Sequence, residues 1–94
     1  MYVFDHLFYG ELHELGICEI LLEALARISD DMVVVTAILN SILSVSRYLP
    51  CWLELGRLKV IDNYVLHYKE LAKAQSDSAL EEVCVQLNRS LGNH

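Results

Sequence analysis

His6, His13 and His67 could move protons or hold a metal, and Cys18, Cys51 and Cys84 could act as nucleophiles, metal ligands or redox groups. Each of those chemistries needs partners at particular spacings. His6 and His13 stand seven residues apart with Glu11 and Glu14 between and beside them, which matches no helical ligand pair. They and His67 read as surface or boundary histidines. No serine or cysteine sits in a nucleophile motif, and no glycine-rich phosphate loop occurs. The Asp30-Asp31 pair reads most simply as the start of a helix. The expectation is therefore a chain that is not an enzyme and needs no metal or cofactor.

The three cysteines are widely spaced among apolar residues, and their odd number argues against a disulfide framework. They read as reduced core thiols of a cytosolic protein. Thirteen acidic against seven basic residues give a net charge of -6, which repels a phosphate backbone and makes nucleic acid a poor ligand. The hydrophobic share, 54%, is above the roughly 45–50% of ordinary soluble domains. A chain of 94 residues has room for one domain, residues 1–94, and cannot hide all its apolar side chains, so an exposed apolar patch and a protein partner are expected. The amino terminus lacks the basic start of a signal peptide. The longest uncharged run, Met32 to Ser46, is shorter than the ~20 residues a bilayer requires. A cytoplasmic location without membrane insertion follows as the expectation.

That uncharged run, MVVVTAILNSILSVS, is the stretch around which the other elements are expected to gather. Thr36, Asn40 and Ser44 recur at helical spacing, so it reads as a helix needing cover on most sides: the centre of a bundle, or the floor of a groove that a partner fills. Before it, Gly16 to Ile28 carries Glu19, Glu23 and Arg27 as one polar stripe on an apolar helix. Ser29, Asp30 or Asp31 should cap the next helix, making an antiparallel helical hairpin. The aromatic stretch from Tyr2 to Leu15 suggests a short helix broken by Gly10 and Gly16, serving as a lid on the core or as a docking segment.

Downstream, Pro50 suits the first turn of a helix from about Pro50 to Val60, and Asp62 or Asn63 is the next start signal. Ile61, Tyr64, Val65, Tyr68 and Ala72 form one helical face, with Lys69, Glu70 and Lys73 opposite. Ser78 with Glu81 fits a capping box, followed by Leu80, Val83, Cys84, Leu87 and Leu91 on one face and Gly92 at the end. The fold class is all-α: five to six short antiparallel helices.

Trp52-x-x-Leu55-Gly56 matches the opening of the tetratricopeptide helix-pair repeat, so the helices are expected to stack as pairs. In order along the chain, Leu39-Asn40-Ser41-Ile42-Leu43 leading to Arg47-Tyr48, then Pro50-Cys51-Trp52-Leu53-Glu54-Leu55, then Glu70 to Leu80, resemble the tetratricopeptide-like subunit of the heterodimeric chaperone for the needle protein of bacterial type III secretion systems. The similarity runs from about Gly10 to Leu91. It departs from that family in the short Tyr48–Pro50 connection and in Ser78, where the family has proline.

The resemblance implies a cytosolic chaperone that binds the amphipathic C-terminal helix of the needle-forming protein and so prevents premature polymerisation, with a small helical co-chaperone on another face. Candidate groove residues are Ile38, Ile42, Leu55, Leu58, Tyr64 and Tyr68, each of which could equally be ordinary core. The competing reading is an all-helical adaptor or regulatory domain that homodimerises through the same apolar surface.

Overall fold

The computed structural model describes residues 10–11, 13–28 and 30–92. His6, Ser29 and most of the aromatic stretch expected to form an amino-terminal helix (Tyr2, Val3, Phe4, Leu7, Phe8, Tyr9 and Leu12) lie outside the described residues. The described chain is all-α, with five α-helices and no strand among the described residues: α1 Ile17–Arg27, α2 Met32–Val45, α3 Leu49–Arg57, α4 Leu66–Gln75 and α5 Ser78–Leu91. A π-helical turn, Ile61–Val65, runs directly into α4.

Each boundary has a local cause. Gly10, Glu11, His13 and Glu14 are helical, and Gly16 ends that turn at φ +78, a left-handed conformation that glycine adopts without a side-chain clash. Asp31 caps α2, its carboxylate accepting from the amides of Val33 (3.1 Å) and Val34 (3.4 Å). Pro50 occupies the first turn of α3, where a missing amide proton costs nothing. The helix then stops at Arg57, earlier than the expected Val60, because Lys59 turns left-handed at φ 55. Helical backbone resumes at Val60, so neither Asp62 nor Asn63 starts the next segment; the Asn63 side chain instead donates back to the carbonyl of Leu58.

The π turn explains a spacing that a regular helix does not accommodate. Val60 and Val65, five residues apart, are both buried, and widening one turn places them on the same side before Tyr68 and Ala72 continue that side at ordinary spacing. The left-handed Ser76 closes α4 while the amide of Asp77 bonds to Ala72, and Asp77 caps α5 through the amide of Leu80 at 3.1 Å. The cap is thus Asp77 rather than Ser78, which is the first residue inside the helix.

α1 packs against α2 as one hairpin and α4 against α5 as the other. α5 also packs along α2 and touches α3 and the π turn, which makes it, rather than α2, the helix with the most neighbours. Its buried side is the expected one: Leu80, Val83, Cys84, Leu87 and Leu91. Opposite it stand Val35, Leu39, Ile42 and Val45 of α2, and Cys18, Leu22 and Leu25 of α1, Cys51 and Leu55 of α3, and Val60, Val65, Tyr68 and Ala72 join them in the core. Among the described residues no helix is long and apolar enough to cross a membrane.

Candidate partner surface

The six residues expected to line a groove divide into two sets. Ile42, Leu55 and Tyr68 lie inside the chain's own core, and Ile38, Leu58 and Tyr64 are half-buried against it. Ile42 faces inward because it continues the Val35, Leu39, Val45 side of α2, the side that meets α5. In this arrangement Ile42, Leu55 and Tyr68 are covered by the chain's own core and line no open groove.

The atoms available lie on the outward side of α2. Val33, Ala37, Asn40, Ser41 and Ser44 are exposed there, Val33 to 80%, and Thr36 and Ile38 are half-exposed beside them. None is ionisable, and charged residues occur only at the ends, Asp30 and Asp31 before the helix and Arg47 after it. The polar side chains on this face largely bond to their own helix. Thr36 Oγ1 donates to the carbonyl of Met32 at 2.7 Å, Asn40 Nδ2 to Thr36 at 3.1 Å and Ser41 Oγ to Ala37 at 3.1 Å. Covering a hydroxyl or amide that already has a protein partner loses little, whereas covering an unpaired one costs about 1–3 kcal/mol. The face is therefore inexpensive to dehydrate although it is half polar by composition.

A second apolar exposure lies on α3, where Leu49 (62% exposed) and Leu53 (53%) stand one turn apart. Beside Leu53 a shallow hollow of about 390 Å³ is lined by His13, Pro50, Leu53, Glu54 and Arg57. His13 Nε2 and Glu54 Oε1 pair across it at 3.1 Å, fastening the turn before Gly16 to α3.

His13 holds Glu54, and His67 is exposed with its ring edge-on to Tyr68, centroids 5.1 Å apart. Among the described residues no cluster of three histidine, cysteine or acidic side chains could hold a metal ion. Burial pushes the Cys18 thiol up to about 12 and Cys84 up to about 11, and raises Cys51 as well, which keeps all three protonated. That is the reverse of what activates a nucleophilic cysteine.

Sequence periodicity marks α2 as a helix without charges but does not say which side is open. On a helix without charges the two sides differ only in side-chain size and hydroxyl content, so the buried side lacks the strong contrast that charged residues give elsewhere. The usable signal was finer: small residues and hydroxyls at Ala37, Asn40, Ser41 and Ser44 against the large Leu39 and Ile42. Comparison with protein-family profiles, with curated proteins and with solved structures finds no match to this chain.

Proposed function

We propose that this chain is a helical protein-interaction domain that holds a helix of a second protein against the outward side of α2, and that it works as a cytosolic chaperone rather than an enzyme. The observation carrying this reading is the uncharged outer face of α2, whose hydroxyls and amide are largely bonded within the helix. An amphipathic helix laid on such a face gains from apolar burial and leaves few polar groups unpaired. The motifs from Leu39 to Leu80, which in their order along the chain resemble the type III secretion chaperone subunit, support the C-terminal helix of a needle-forming protein as the cargo. A small helical co-chaperone then covers another apolar exposure, for which Leu49 and Leu53 of α3 are the candidates. A self-assembling subunit stays monomeric while the helix it assembles with is covered.

Co-expression of the full chain with the needle-forming subunit and the small helical protein of its own host tests this reading. A soluble ternary complex, with the chain poorly soluble when expressed alone, is the expected result. A chain that is a stable monomer by itself and captures neither protein would overturn the chaperone reading. A symmetric dimer that captures neither would show that the apolar surface serves a second copy.

A further inference from the structure

Cys18 begins the buried side of α1 and Cys51 that of α3, and the fold brings them together across 33 residues of sequence. Cys18 Sγ lies 4.0 Å from the Cys51 carbonyl oxygen, so the two cysteines are neighbours across the α1–α3 seam. Both side chains are fully buried. Cys84, the third cysteine, is buried on α5 with Lys69 and Glu81, not another thiol, as its charged neighbours. The α1–α3 seam is light compared with the packing of α1 on α2, and His13–Glu54 reinforces it from the turn before Gly16. Local opening of a lightly packed seam is the route by which buried thiols meet a small reagent.

We propose that Cys18 and Cys51 form a redox-sensitive pair, closed to an intrachain disulfide by a low-molecular-weight disulfide such as oxidised glutathione, and that closure locks α1 onto α3. The chemistry runs in two exchanges. Cys51 loses its proton to solvent, and its thiolate attacks one sulfur of the small disulfide, whose S–S bond breaks and releases one thiolate that takes up a proton. The Cys18 thiolate, its proton likewise lost to solvent, then attacks the Cys51 sulfur. This forms the Cys18–Cys51 bond and expels the second small thiolate, which is protonated in turn. Two protein thiols are oxidised and one small disulfide is reduced to two thiols. Cys51 goes first because the neighbouring Cys18 thiol favours its anion, whereas Cys18 is held up to about 12 by burial and by Cys51 itself.

Folded full-length chain is equilibrated with oxidised glutathione, quenched in acid, and analysed by intact mass and by peptide mapping. Cleavage at Arg27, Arg47, Arg57, Lys73 and Arg89 puts the three cysteines on separate peptides. The expected product has lost two hydrogens, joins the Cys18 and Cys51 peptides, retains Cys84 as a free thiol and melts at higher temperature until dithiothreitol reverses it. Cys84→Ser should keep the closure, and Cys51→Ser should abolish it. Retained glutathione on Cys18 or Cys51 without closure, a link through Cys84, or three unmodified thiols at equilibrium would each overturn the pair. The wild-type map decides this even if a variant fails to fold.

Discussion

The indole N–H of Trp52 donates to the carbonyl oxygen of Ser90 at 2.8 Å, tying α3 to the last turn of α5 across 38 residues of sequence. The last carbonyls of a helix have no partner within it, and a side chain from elsewhere can supply one. Beside this bond Ser46 Oγ, at the end of α2, donates to Leu43 and lies 3.4 Å from Ser90 Oγ. The closing turn of α5 is thereby pinned to both α2 and α3. Trp52→Phe keeps most of the ring and removes the donor. It should cost about 1 kcal/mol, read as a lower denaturant midpoint with unchanged slope, while Trp52→Ala should cost roughly 3–5 kcal/mol by leaving a cavity as well.

The start of α5 offers a test of which residue holds it. Asp77 accepts from the amide of Leu80, and Ser78 lies inside the helix. Asp77→Ala should therefore lose about 1 kcal/mol, a fall of roughly 4–8 °C in Tm for a domain this small. Ser78→Ala should stay within about 0.5 kcal/mol. A larger loss at Ser78 would return the cap to the serine that the capping-box spacing suggests.

Much of the fold could be read from residue spacing. Leu80, Val83, Cys84, Leu87 and Leu91 recur at helical intervals beside charged neighbours, so one face of α5 is unambiguous, and the same five residues are buried. Where that contrast is missing, periodicity stops being informative. α2 has no charge on either side, so Ile38 and Ile42 looked alike, yet Ile42 is fully buried and Ile38 only half-buried. Between Val60 and Val65 the chain adopts a π turn, a departure from 3.6-residue periodicity that comes from tertiary packing rather than from local propensity.

Alkaline pH should weaken the fold through its buried thiols. Cys18 and Cys84 titrate near 12 and 11 in the folded chain, and Cys51 is also raised, mainly because burial disfavours each thiolate. In the unfolded chain they ionise near 8.5. The unfolded state therefore binds fewer protons above that value, and unfolding is favoured as pH rises. Stability should be flat with respect to these groups below about pH 8 and fall from about pH 8.5 toward 11. Measured as urea midpoints against pH, Cys84→Ala should lower the whole curve and reduce its alkaline slope. An unchanged slope would mean that Cys84 is not a source of it.

Ala37 lies on the outward side of α2, whereas Ile42 is in the core. A charge at Ile42 would destroy the fold and with it any binding, so the interface is tested at Ala37. The most direct measurement is the dissociation constant for the partner helix, taken on wild type and on Ala37→Glu, with Tm recorded for both. A helix seated on this face requires binding to weaken by at least about tenfold, roughly 1.4 kcal/mol, while Tm changes little. Equal affinity in a variant of unchanged Tm would contradict the account, because a carboxylate at the centre of the face would then have displaced nothing.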